Sequence, residues 1–258
     1  MIPLRDDVPS RSFPIVNIAL ISLNALAFLL ELGMGRHLER FLYQSAVVPA
    51  LYTYGDRVLD LGDVIRSTFD PDLGLRVVYS MFLHGGWAHI LGNMLYLWIF
   101  GDNVEDRMGH LRYLVFYLLC GWTASYAHVW SDPRSVLPSI GASGAIAGVL
   151  GSYMTLYPHA RVVTLVPLGL FTQLVQIPAV FFLGVWFLQQ FIAGTLSLGA
   201  RTAQTGGVAW WAHIGGFVAG FVLVWVFQNP RRRPPSQDAS WEESHRGRRV
   251  RGRWGARG

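Results

Sequence analysis

The chain contains no lysine, and its one cysteine is Cys120. Without lysine there is no Schiff-base or lysine-base chemistry. One cysteine permits neither an intramolecular disulfide framework nor a multi-cysteine metal cage. Charge is also scarce. Only 14% of the 258 residues are charged, against about 25% in an ordinary soluble domain. Mean hydropathy is +0.34, so there is too little polar surface to cover a water-facing globule. A disordered chain is excluded as well, because 52% of the residues are apolar and 14% aromatic.

The net charge of +5 is not spread evenly. Residues 229–258 hold nine arginines against three acids, which leaves the rest of the chain near −1. The basic charge is therefore a tail rather than a nucleic-acid-binding face, and no nucleic-acid partner is expected. Beside an apolar span, such a tail reads as a disordered cytoplasmic anchor attracted to anionic membrane lipids.

A spanning helix needs about 20 mostly apolar residues. Six stretches qualify: Phe13–Leu32, Trp87–Val104, Tyr113–Trp130, Ile140–Tyr157, Ile177–Leu198 and Val208–Phe227. The expected fold is all-α, a polytopic membrane bundle of six helices. The domain is expected over 13–228, between a short cytoplasmic N-terminus (1–12) and the arginine tail. The first stretch is too long, and its leader too balanced in charge, for a cleaved signal peptide. The long first external loop, 33–77, carries Phe41-Leu42-Tyr43 and Val47-Val48 and is expected to fold partly onto the outer leaflet. Val162–Gln176 is apolar but interrupted by Pro167 and Gly169, and reads as an interfacial loop.

Ionisable and polar groups inside a membrane are costly, so each is a functional candidate. Ser143 sits in Gly141-Ala142-Ser143-Gly144 at the start of the fourth span. It is either a helix-packing hydroxyl or an exposed nucleophile. His213 opens the sixth span, as a structural histidine or a base. Gly144, Gly148 and Gly151 form one ridge of small residues, and Ala212, Gly216 and Gly220 form another. If the ridges pack together, hydroxyl and imidazole come within hydrogen-bond reach, as in an activated serine. Neither span carries a carboxylate to serve as a third member, so a two-residue device is expected. His89 and Asn93, four apart on one helix face, can donate to an oxyanion, and so can the Ser143 N–H at a helix start. Their alternative is polar glue between helices. Glu105 reads as a cap, or as a partner of Arg112 across the bundle. Cys120 reads as an inert core residue. No metal or cofactor is expected.

These residues carry a resemblance over about 10–228. The chain resembles the rhomboid intramembrane serine proteases of the bacterial type. It matches them at His84-x4-His89-x3-Asn93, at Gly101-x3-Glu105-x3-Gly109, at Gly141-Ala142-Ser143-Gly144 and at Ala212-His213-x2-Gly216-x3-Gly220, in the family's order. The resemblance implies that Ser143 is the nucleophile and His213 the base. His89, Asn93 and the Ser143 N–H would form the oxyanion hole. His84, Glu105, Gly141, Gly144, Gly216 and Gly220 would be structural supports. It further implies single-span membrane protein substrates, a lateral gate at the fifth span, and a bacterial inner-membrane location with both termini cytoplasmic. Two departures stand out. Gly207 lies one residue off the family's glycine before Ala-His, where Val208 stands. The first loop also lacks the Trp-Arg pair of many members. The alternative is a catalytically inactive relative that binds membrane clients; oligomeric state is not legible.

Overall fold

The structure is a computed structural model and describes residues 1–53, 58–61, 64–67, 72–168, 171–199 and 209–232. Gly207, Val208, Gly169 and most of the arginine tail lie outside the described residues. A short strand, β1 (Ile2–Arg5), precedes the first long helix, α1 (Ile15–Gly33). The connection that follows holds two short helices, α2 (Leu38–Ser45) and α3 (Pro49–Thr53), a hairpin of β2 (Val58–Leu61) and β3 (Val64–Ser67), and α4 (Leu73–Ser80). Five further helices and a second hairpin complete the fold: α5 (Trp87–Met108), α6 (His110–Ser131), α7 (Ser143–Leu156), β4 (Arg161–Leu168), β5 (Phe171–Pro178), α8 (Ala179–Gly199) and α9 (Trp210–Phe227).

The architecture is the expected helical bundle, and each expected span meets a helix within a few residues of its bounds. By length and composition α1, α8 and α9 can cross a membrane. Large apolar side chains on them stay exposed, among them Leu26, Leu29, Phe181, Leu188, Phe221 and Trp225, as a lipid-facing surface requires. The helices α5 and α6 are 22 residues each but carry more polar groups. The central helix is α7, buried on every side from Gly144 to Tyr153. Its 14 residues rise only about 21 Å, short of a ~30 Å hydrocarbon core. The irregular stretch 132–142 leads into it, and Ala142 and Gly144 on either side of its first residue are buried.

Two ridges of small residues bring α7 and α9 together. A Cβ added at Gly216 would overlap the Gly144 carbonyl oxygen, and one at Gly220 would overlap that of Gly148. At Gly151 the obstacle is the Phe217 carbonyl. The seam is thus backbone against backbone, the close approach that small-xxx-small faces permit. Cys120 is fully buried against it, beside Gly148.

One local expectation is corrected, and the connection after α1 is seen in part. Val162–Gln176 is not an interfacial loop but the body of the β4–β5 hairpin, paired from Arg161↔Pro178 to Leu168↔Phe171. Pro167 is tolerated because β1 pairs with β4 only at residues 163–165, so its missing N–H faces an open edge. Within 33–77, the described residues form short elements, and Val47 and Val48 are buried. Val47 bridges to Ser139, and the Ala50 N–H donates to the Ser135 carbonyl. This part of the connection leans on the segment that leads into α7.

At the end of the bundle where α1 begins, Glu105 is fully buried and does not pair with Arg112. Its carboxylate accepts from the Val16 N–H (3.0 Å), the Asn17 N–H (2.7 Å) and His110 Nδ1 (2.5 Å). It caps α1 from α5, satisfying donors that a helix start leaves open. Asp106 accepts from the Ser12 N–H and hydroxyl. Asp6 accepts from Tyr153 and, at 2.9 Å, from Asn103. Asp7 accepts from the Arg161 N–H at 2.7 Å. The N-terminal segment thereby ties α5, α7 and the hairpin together.

Burial pushes the Asp6 carboxyl up to about 7; the Tyr153 hydroxyl opposes this, while Asp102 and Asp7 add to it. Its folded-state value lies above its unfolded one, so the native state holds the extra proton. That contribution to stability is complete below about pH 4 and is lost as pH rises through about 7. Thermal unfolding midpoints of the Asp6→Asn protein in detergent are expected to lack this decline. At the seam, Gly220→Ala is expected to cost about 1–3 kcal/mol, because backbone cannot swing aside for the new methyl. The same unfolding measurement checks it.

Candidate active site

Ser143 is the first residue of α7, and His213 lies in the first turn of α9. The glycine seam sets both helix starts side by side. Ser143 Oγ stands 2.8 Å from His213 Nε2, a full hydrogen bond. With the hydroxyl donating to Nε2, the ring's remaining proton sits on Nδ1. Nδ1–H donates to Gln190 Oε1 at 2.8 Å. Gln190 is on α8 and only 5% exposed. Trp186, one turn earlier on α8, lies against the same imidazole with ring centroids 5.9 Å apart. Trp210 meets it edge-on at 6.3 Å.

The loop before Ser143 is built around Gly141, whose φ is +123°, a conformation suited to glycine. A Cβ there would lie 2.7 Å from His89 Nε2 and 3.6 Å from Ser143 Oγ. Imidazole and hydroxyl therefore border one small space that only hydrogen keeps open. The Gly141 N–H donates to the Ser80 carbonyl at 2.8 Å. A small cavity beside Ser143 is lined by Ser80, Ser125, Ser139 and Ala209.

His84 and Asn93 form a second polar unit next to it. His84 Nδ1–H donates to the Phe82 carbonyl at 3.2 Å, which leaves Nε2 to accept from Asn93 Nδ2 at 2.9 Å. The backbone N–H of His84 donates to the carboxylate of Glu31, at 3.1 and 3.2 Å. Glu31 lies at the far end of α1 and is 3% exposed. The rings of His84 and His89 meet edge-on at 5.0 Å, and His89 Nδ1 accepts from the Gly85 N–H at 3.4 Å.

Ser143, His213, His89, Asn93, His84 and Gly141 thus gather at one end of the bundle. Glu105 sits at the other end. Gly144, Gly216 and Gly220 form the seam between. Two residues escaped the sequence reading. Gln190 was one of several scattered amides in apolar spans; its signal was a polar residue four after Trp186, on one helix face. Glu31 was an acid inside an apolar span, with no sequence-near partner to mark it. Among the described residues, no group of three or more His, Cys, Asp or Glu is placed to hold a metal ion.

The chemistry is that of a serine hydroxyl poised on a neutral imidazole. A hydroxyl so placed can pass its proton to Nε2 and act as a nucleophile toward an electrophilic carbon. The α7 start presents N–H groups without intrahelical partners to any oxyanion that forms.

The protein class these features define is an integral membrane helix bundle with a part-buried serine–histidine contact. Residues 73–230 match the family described as Rhomboid domain, and the chain belongs to that family. It is 28% identical over 193 residues to RHOMBOID-like protein 5 of Arabidopsis thaliana, covering 71% of this chain and 56% of that one. Rhomboid protein 1, mitochondrial, of Saccharomyces cerevisiae is 30% identical over 156 residues, 58% of this chain and 41% of the relative. Rhomboid protease GluP of Bacillus subtilis is 43% identical over 79 residues, 31% of this chain and 15% of the relative. The chain thus spans about half or less of the length of these relatives.

Glu31→Ala leaves the buried His84 N–H without an acceptor. It is expected to lower stability by about 1–3 kcal/mol, and Glu31→Gln, which keeps an acceptor oxygen, by less. Denaturant or thermal unfolding of the two proteins side by side checks the order.

Proposed function

We propose that this chain is an intramembrane serine endopeptidase. It hydrolyses peptide bonds in or near the spans of single-span membrane proteins with Ser143 as nucleophile and His213 as general base. The 2.8 Å Ser143–His213 hydrogen bond carries this reading, within a family that includes a relative named as a protease. Six spans, with 13–228 as the protease domain and both termini cytoplasmic, complete it, in a bacterial inner membrane. The arginine tail supports that orientation.

In the reaction, Ser143 Oγ attacks the scissile carbonyl while His213 Nε2 takes its proton. The tetrahedral oxyanion is held by the Ser143 N–H, His89 and Asn93. The imidazolium then gives its proton to the leaving amine, and an acyl-enzyme ester remains. A water activated by His213 attacks that ester and regenerates Ser143. The serine-lined cavity beside Oγ is suited to hold that water. A helical substrate hides its carbonyls in its own hydrogen bonds, so it must unwind before Oγ can reach one.

A fluorophosphonate probe is expected to label Ser143 in the detergent-purified protein. Ser143→Ala and His213→Ala are each expected to abolish labelling and to cut hydrolysis of a single-span substrate on the order of 10⁴-fold. A folded preparation that neither labels nor cleaves would instead be a catalytically inactive scaffold for membrane clients.

A further inference from the structure

We infer that Gln190 is a positioning residue, the third member of a Ser143–His213–Gln190 relay, and that it fixes the ring of His213 from α8. This inference rests on the protease reading above.

Three observations converge on it. First, a base that takes the Ser143 proton at Nε2 must carry its own proton at Nδ1, because only an unprotonated Nε2 can accept. Gln190 Oε1, at 2.8 Å from Nδ1, is the acceptor that selects this tautomer. Second, Gln190 is 5% exposed, in a helix whose other inward residues are apolar. A buried amide without a partner is costly, and His213 is the partner. Third, Trp186 and Gln190 are four apart and so share a helix face. One lies beside the imidazole, its ring tilted by 36°, while the other holds the far nitrogen. Further along the same face, Gly194 packs on Ile214 and Trp210, and its carbonyl accepts from Trp211 Nε1 at 3.2 Å. The whole of this α8 stripe therefore docks on the first turn of α9, where His213 sits.

A consequence follows for the helix itself. His213 is anchored on one side by Ser143, across the glycine seam, and its Nδ1 is held from α8. Displacement of α8 removes the Nδ1 acceptor and the Trp186 wall together. The ring is then free to turn or to change tautomer, and Oγ loses its base. The seated position of α8 is therefore the one that holds His213 in place.

The test uses the full chain in detergent, with a single-span substrate and a fluorophosphonate probe. Gln190→Leu keeps the volume and removes the acceptor. It is expected to lower kcat about ten- to a hundredfold, with KM unchanged and the labelling rate of Ser143 falling in parallel. Gln190→Glu restores an acceptor and is expected to recover most of kcat. Nitrogen-15 NMR of the histidine ring should show one tautomer, protonated at Nδ1, in the unaltered protein and in Gln190→Glu, and a mixture in Gln190→Leu. A Gln190→Leu protein with full kcat and an unchanged ring signal overturns the inference. So does a Gln190→Glu protein as slow as Gln190→Leu, when both have lost the same thermal stability. The ring signal needs no turnover. If the unaltered protein neither labels nor cleaves while the tautomer still depends on residue 190, the protease reading has failed and the positioning role has not.

Discussion

The contact on which the structure depends is backbone against backbone, between α7 and α9. No side chain separates Gly144 from Gly216, or Gly148 from Gly220. In a membrane there is little hydrophobic drive to press two helices together, so van der Waals fit and polar contacts must do it. The glycines give that fit, and they do more. Ser143 precedes the first glycine of one ridge, and His213 precedes Gly216 by three. The separation of Oγ and Nε2 is therefore set by the helix seam. Two flexible side chains reaching toward each other would leave it loose. A site held to a fraction of an ångström needs this kind of support.

Around that seam several polar groups of the site are paired within the protein. His213 has Ser143 and Gln190; Asn93 has His84; the His84 backbone has Glu31. This follows from the solvent. Where water cannot reach, an unpaired donor or acceptor costs several kcal/mol, so polar residues occur in closed sets. The same rule orders the other end of the bundle. There Glu105, Asp106 and Asp6 take up the N–H groups and side chains of the N-terminal segment. The two sets lie at opposite ends of α5 and α7, and only the first touches Ser143.

The helices were legible because their apolar runs are long and their breaks fall at glycine, proline or charge. Ser143 and His213 were legible as a pair because small residues at four-residue spacing flank each, which states that the two helix faces can meet. The β4–β5 hairpin was not legible. Pro167 breaks the apolar run, and the reason it is tolerated, an unpaired edge beyond β1, exists only in the assembled sheet. Glu31 and Gln190 were hidden for a related reason. The partner of one is a backbone N–H far along the chain, and that of the other is a ring on a different helix. Neither leaves a local pattern. A lone polar residue in an apolar helix says that a partner exists but not which one.

An amide rather than a carboxylate behind the imidazole is what the surroundings favour. In water-exposed serine hydrolases a carboxylate at Nδ1 both orients the ring and stabilises the imidazolium. Here the acceptor sits on a helix whose outer face is exposed to lipid, and an ionised acid at that depth carries a large desolvation cost. It would also drop into the apolar phase whenever α8 moved outward, with no ion to accompany it. An amide oxygen supplies the orientation at a much smaller cost. What is given up is the electrostatic support of the imidazolium. For a helix with a lipid-exposed outer face, a neutral acceptor orients the ring at the lower cost.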